Sequence, residues 1–194
     1  MATSKIEICN RALLAIGGKG IVSVDQDEKA ARDCDLTYDP MRRALLEEGE
    51  WTFATKRAQL SRLAVCPVFG FKYEYALPAD LLRIQKVFAG SLSRMLTDDR
   101  YAVEEGKLLT DAEHPVYLIY TRNLTDPRQF SEMFAEALVY KIAVKIQPNL
   151  VESDSKQAYL EQKYVQALKA AKAHDSMNRA LTVGFTSSLV ESKY

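Results

Sequence analysis

Phe69-Gly-Phe71-Lys-Tyr73-Glu-Tyr75-Ala-Leu77-Pro78-Ala-Asp80 is the stretch on which the reading of the fold turns. Every odd position from 69 to 77 is large and apolar, the even positions are small or charged, and Pro78 closes the run. A period of two predicts a strand with one buried and one wet face. The chain before Trp51 and after Asp126 reads as helix, so this strand opens a β-rich insert in a helical protein. The expected class is α+β, a four-helix-type bundle with an antiparallel β-sheet subdomain inserted between the second and third long helices. The bundle is assigned residues 1–57 and 126–181, the insert residues 58–125, and a C-terminal arm residues 182–194.

Within the insert, Leu82 to Phe88, Met95-Leu96, Tyr101 to Glu104 and Lys107 to Thr110 read as further short strands. Glu105-Gly106 is a tight-turn signal. Val116 to Tyr120 is continuously apolar, as a central strand would be. Alternation assigns most of the insert's aromatic side chains to a small core rather than to a stacking surface. Lys56, Arg57 and Arg62 form a weak electropositive spot.

On the N-terminal side, Ile6, Cys9, Leu13 and Ile16 recur three or four apart, which predicts a helix over 3–16 capped by Thr3 or Ser4. Gly17-Gly18-Lys19-Gly20 ends it. These residues lack the preceding strand, the upstream glycine and the following Ser or Thr of a phosphate-binding loop. Asp25 and Glu28 have capping-box spacing for a second helix reaching about Glu48. That helix carries Cys34, Tyr38, Met41 and Leu45 on one face, with a kinking Pro40 inside. Trp51 reads as a structural anchor. On the C-terminal side, Asp126-Pro127 signals a helix start, with Phe130, Phe134, Leu138 and Ile142 as its stripe. Gln147-Pro148-Asn149 should break it. A last helix is expected from near Val151 to about Arg179, with Leu160, Tyr164, Leu168 and Ala171 inward. The tail beyond it is apolar without a helical period and reads as an arm that orders on a partner.

Composition narrows the function. The chain has 194 residues, with 26 Lys plus Arg against 26 Asp plus Glu. Nil net charge without a basic block disfavours tight, general DNA binding, which rests on neutralised phosphates. No apolar run approaches the roughly 18 residues of a membrane span, and the N-terminus lacks the apolar core of a signal peptide. The protein is therefore expected to be made and used in a cytoplasm. Cys9, Cys34 and Cys66 read as small buried thiols rather than redox or metal groups. No catalytic motif of the Gly-x-Ser-x-Gly, Cys-x-x-Cys or His-Glu-x-x-His kind occurs. His114 and His174 lie far apart in sequence, His174 beside Asp175. Asp98-Asp99 and Glu104-Glu105 are neighbours that a strand would send to opposite faces. No catalytic, cofactor or metal residue is assigned, and no cofactor is expected.

Three stretches carry a family resemblance: Asn10-Arg-Ala-Leu-Leu-Ala-Ile-Gly17; Ala31-Arg-Asp-Cys34 through Tyr38-Asp-Pro-Met-Arg42-Arg-Ala-Leu-Leu46 to Trp51-Thr-Phe53-Ala54; and Tyr73-Glu-Tyr75-Ala-Leu77-Pro78-Ala-Asp80-Leu-Leu-Arg83. With the order of elements, they resemble the tail tubular protein A family of short-tailed bacteriophages, the head–tail adaptors or gatekeepers. Pro40 departs from a smooth second helix. The resemblance implies a non-enzymatic virion protein, made in the host bacterial cytoplasm and placed at the head–tail junction. It would form a ring, usually dodecameric, between the portal protein and a tail nozzle of the tail tubular protein B kind. Double-stranded DNA would pass through that ring, and no membrane is involved. Phe185, Leu189 and Val190 of the arm, with Gly18 and Lys19 of the glycine loop, are the expected partner-interface residues. Two other readings stand beside it: a carbohydrate-active enzyme using the Tyr-rich insert and a carboxylate pair, and a helix-turn-helix nucleic-acid-binding regulator.

Overall fold

The computed structural model describes residues 4–90, 95–97, 100–151 and 153–191, with side chains through 178. It is a mixed α+β protein with four helices and antiparallel sheets. The chain divides into two compact units, Met1–Phe53 with Leu124–Tyr194, and Ala54–Asn123.

The first unit is helical. α1 (Lys5–Ala15) starts where the Ser4 hydroxyl accepts from the Glu7 N–H at 3.1 Å. It stops in a Schellman motif, Gly18 N–H to the Leu13 carbonyl at 2.8 Å and Gly17 N–H to Leu14 at 2.9 Å. That motif needs a left-handed residue, and Gly17 supplies φ +76°. α2 (Lys29–Glu47) begins later than the capping-box reading allows. Its N-cap is Glu28, whose side chain makes no cap bond. Asp27 is instead drawn to Arg32, and Gln26 accepts from the Val22 and Ser23 N–H groups. These bonds fold residues 22–28 into a turn before the helix begins. Pro40 lies inside α2 as expected, and Cys34, Tyr38 and Leu45 face inward.

α3 (Glu132–Leu150) also differs from the sequence reading. Asp126 caps only a 3-10 turn, Pro127–Gln129, and Ser131 caps the helix proper, accepting from the Phe134 N–H at 3.2 Å. Pro148 does not end the helix. The break falls at Val151, where the buried Gln147 amide donates to the Val151 and Ser153 carbonyls. A proline so near the end removes one bond and can be absorbed within the last turn. α3 touches the other three helices, so Ala135, Val139 and Ala143 are buried along with the Phe134, Leu138 and Ile142 stripe.

α4 runs Asp154–Glu191. The expected end near Arg179 and the non-helical arm beyond it are therefore corrected, because helical backbone continues through Glu191. Around the top of α3, Trp51 and Phe134 meet edge-on at 5.0 Å, with Phe53 and Phe130 at 5.1 and 5.0 Å from Phe134. Trp51 Nε1 donates to the Leu45 carbonyl at 2.9 Å and so satisfies an end of α2. The anchor expected at Trp51 is present.

The second unit holds β1 (Thr55–Leu60), β2 (Tyr73–Ala76), β3 (Leu81–Ala89), β4 (Met95–Leu96), β5 (Tyr101–Glu104), β6 (Lys107–Thr110) and β7 (Val116–Arg122). They make two antiparallel sheets, β1-β7-β3-β4 and β2-β6-β5, where the sequence had suggested one. β7 is central, as its apolar run implied, and pairs residue for residue with β1 from Thr55↔Thr121 to Leu60↔Val116. Residues 61–63 continue from β1 onto β2 through the Arg62–Tyr75 bridge. Between the sheets lies one core that includes Leu60, Tyr75, Val87, Leu108, Leu118 and Tyr120. β5 and β6 are joined at Glu104↔Lys107 by Glu105 (φ +48°) and Gly106 (φ +72°). Two positive φ values describe a type I′ hairpin turn, as read from the sequence.

The nine-residue strand expected from 69 to 77 is four residues long. Gly70, at φ +88°, turns the chain away. The Lys72 N–H goes to the Asp111 carboxylate instead of a neighbouring strand, and only Tyr73 to Ala76 find partners on β6. Tyr75 is buried, but so is Glu74, an even position, through its ion pair with Lys107 at 2.9 Å.

Candidate functional site

The shortened strand leaves Phe69, which the alternation had assigned to the core, in a loop with the residues before it. Val65, Val68 and Phe69 are 68%, 98% and 86% exposed, and Cys66, read from the sequence as a buried thiol, is exposed among them because the loop leaves the sheet. Arg62 at the base of the loop stacks on the Tyr73 ring at 4.0 Å. Below the tip lies a groove of about 280 Å³ with Leu109 in its lining and Glu74, Glu104, Glu105 and Lys107 around it. A contiguous exposed apolar tip of this kind marks an interaction surface more often than a structural accident. Sequence alternation could not find it. The one contrary signal was Gly70, a residue that often marks a bend inside an apparent strand.

A second concave feature of the same unit is an open cleft of about 660 Å³. Phe71, Arg100, Asp111, Glu113 and His114 are in its lining. Its polar groups are held by donors of the chain itself. Asp111 accepts from the Lys72 N–H at 2.9 Å and Glu113 from the Tyr73 hydroxyl at 3.3 Å, while His114 Nε2 lies 3.0 Å from the Gln59 amide nitrogen. These bonds orient the cleft's carboxylates without aiming a base at a nucleophile.

Lys56 and Asp80 form another polar cluster. Lys56 Nζ lies 2.9 Å from Asp80, and the Tyr120 hydroxyl donates to the other Asp80 oxygen at 2.8 Å. Burial alone would raise the Asp80 carboxyl, but the bonds from Lys56 and Tyr120 outweigh it and hold the pKa below its ordinary value. Lys56 is raised by the same hydrogen bond. The expected electropositive spot is therefore neutralised at Lys56 and stacked away at Arg62.

The remaining sequence candidates are separated or buried. His174 and Asp175 leave α4 on different sides. Asp175 is buried and accepts from the Thr52 N–H and hydroxyl, both at 2.9 Å. His174 is exposed, its Nδ1 3.5 Å from the Asn178 amide. They do not form an acid–base pair. Glu104 and Glu105 stand exposed at the β5–β6 turn, and Asp98-Asp99 lie outside the described residues. Cys9 and Cys34 are buried together. A hydrogen bond to Cys34, with burial, pushes the Cys9 thiol up, and Cys34 is lowered as the acceptor. Among the described residues, no group of three or more His, Cys, Asp or Glu is placed to hold a metal ion. None of the helices is long and apolar enough to cross a membrane among those residues.

Of the expected partner-interface residues, Gly18 is spent in closing α1 and Lys19 is exposed just beyond it. Phe185, Leu189 and Val190 fall within the α4 backbone, and their side chains lie outside the described residues. Arg42 is a residue that the sequence did not single out. It is 2% exposed, pairs with Asp39 at 3.0 Å and donates to the Leu124 carbonyl at 2.7 Å. An arginine on a helix face gives no advance sign of such burial, because its partner is a backbone carbonyl 82 residues away. In comparisons with known proteins, the chain matches no protein-family model and no curated protein.

Proposed function

We propose that this chain is a structural virion subunit, the head–tail adaptor that joins a portal to a tail nozzle and continues the DNA channel of a short-tailed bacteriophage. The resemblance of residues 10–17, 31–54 and 73–83 to the tail tubular protein A family points there. The same reading takes the helical unit as a four-helix-type bundle into which the β unit is inserted between α2 and α3. It places the protein at the head–tail junction after synthesis in the host cytoplasm, with portal, nozzle and other copies of itself as partners.

The observation that carries the reading is the fully exposed apolar tip at Val68 and Phe69. A subunit that assembles into a ring by heterologous contacts must display apolar surface that its own core leaves uncovered. Balanced charge supports the conduit role, since 26 cations against 26 anions give passing DNA no net cationic wall to bind. Asp111, Glu113 and His114 are engaged by Lys72, Tyr73 and Gln59, so no observation favours the saccharide-cleaving alternative.

Quantitative mass spectrometry of purified virions tests the proposal. A fixed copy number per particle, near a portal-like symmetry, is the expected result. Particles that mature without this chain would defeat it.

A further inference from the structure

The β-unit loop and the outer side of α4 are complementary in two respects. On α4, Leu160, Ala171 and Asp175 are buried, which at 100° per residue fixes the inward side. Tyr159 and Met177 share one outward direction, with Val165 about 120° round the helix from them, and they are 53%, 67% and 62% exposed. Lys163 lies over the Tyr159 ring at 5.5 Å, and Lys169 and Lys172 are exposed on the outer side. Between Tyr159 and Met177 the carboxylates are Glu161, exposed and bonded to Gln157, and Asp175, buried on Thr52, against Lys163, Lys169 and Lys172. The outer side of α4 is therefore apolar and basic. The loop is its counterpart, with Val65, Val68 and Phe69 exposed and Glu104 and Glu105 exposed beside the groove.

We propose that the loop around Phe69 of one copy docks on the outer face of α4, between Tyr159 and Met177, of a second copy of this chain. The inference rests on the reading of the protein as a ring subunit and names the two faces that meet. In a ring the contact repeats head to tail, and each added copy leaves one loop and one helix face unfilled, so assembly propagates. Phe69 is the anchor, and Glu104 and Glu105 set the register against Lys169 and Lys172. The same carboxylates disfavour an anionic lipid surface as the loop's target.

A mixing experiment with full-length chains tests this. Phe69→Asp removes the loop anchor and leaves α4 whole, while Lys169→Glu with Lys172→Glu reverses the helix face and leaves the loop whole. All three side chains are at the surface, and circular dichroism verifies that each variant is folded. By sedimentation velocity, the wild-type chain is expected to form species larger than a dimer as concentration rises. Each variant alone should associate at least about 10-fold more weakly, as expected for loss of an interface anchor or of charge complementarity. An equimolar mixture should form a dimer and stop there, since only one intact contact can be made. Adding Glu105→Lys to the Lys169→Glu, Lys172→Glu chain should restore larger species.

Unimpaired assembly of either variant, a mixture that stays monomeric, or a wild-type chain that stays monomeric at every concentration overturns the inference. So does flotation of the wild-type chain, but not Phe69→Asp, with phosphatidylcholine vesicles, which would make the loop a lipid contact. The adaptor reading fails separately. Virions that hold a fixed copy number, but whose subunits lack this contact, would retain the adaptor and reject only the docking.

Discussion

Asp175 shows how a neighbour in sequence can be irrelevant in space. One residue along a helix is a rotation of 100°, enough to put His174 in solvent and Asp175 against Thr52. There the carboxylate does the work of an N-cap for the turn at Thr52–Ala54. Asp175→Ala should lower the unfolding free energy by about 1–3 kcal/mol, with Asp175→Asn closer to wild type because it keeps an acceptor. Urea denaturation of the three proteins checks the order. Asp126 gives a second test at this scale. Its hydrogen bonds with Arg128 lower its carboxyl pKa to about 2 from 3.8. A carboxyl lowered in the folded state contributes stability above its unfolded value, and that contribution disappears as pH falls through the folded value. An NMR titration should find the Asp126 midpoint near 2, and Arg128→Ala should return it towards 3.8.

At the scale of elements, the aromatic knot on α3 is the point of greatest leverage in the helical unit. Phe134 has no exposed surface and touches Trp51, Phe53 and Phe130. Phe134→Ala should cost about 3–5 kcal/mol, from lost burial and the cavity left behind. Gly106→Ala, at a φ of +72° in the β5–β6 turn, should cost about 1 kcal/mol through left-handed strain. Thermal unfolding measures both. The contrast between these two sites also explains what was readable in advance. Glu105-Gly106 and Gly17-Gly18 are local devices, where backbone chemistry alone dictates a turn or a helix stop, and both stand where the sequence placed them. β7 was readable because a continuous apolar run has few uses other than a central strand. The stretch 69–77 was misread because alternation reports a tendency to pair and does not supply the partner. β6 offers only four positions, and Gly70 bends the rest away. The ends of α2 and α3 were missed for a related reason. Side chains at Gln26 and Gln147 satisfy backbone groups from outside the helix, and no spacing rule anticipates them.

For the whole molecule, the two units have cores of their own. The β unit closes its sheets over Tyr75, Leu108, Leu118 and Tyr120, and its chain ends at Ala54 and Asn123. A fragment of residues 54–123 should therefore fold by itself, although marginally at this size. Dispersed amide resonances would establish this, and a collapsed spectrum would mean that the core needs the helical unit. Function was the least legible property at this scale. On the proposed adaptor reading the chain needs surfaces rather than a reactive constellation, and a surface is advertised only by what the fold fails to cover. Phe69, with Val68 beside it, became informative once Gly70 was seen to turn it out of the sheet.

The exposed thiol in that loop has a consequence for bench chemistry. Cys66 sits between Val65 and Val68, in solvent, whereas Cys9 and Cys34 are sealed inside the helices. Air oxidation of a stored sample would join two loops sulfur to sulfur, in a two-fold symmetric product. Such covalent pairs would accumulate with the age of the preparation and imitate assembly on a sizing column. They would also compete with the proposed docking by tying up its loops. Freshly reduced protein, or Cys66→Ser, keeps storage history from being mistaken for architecture.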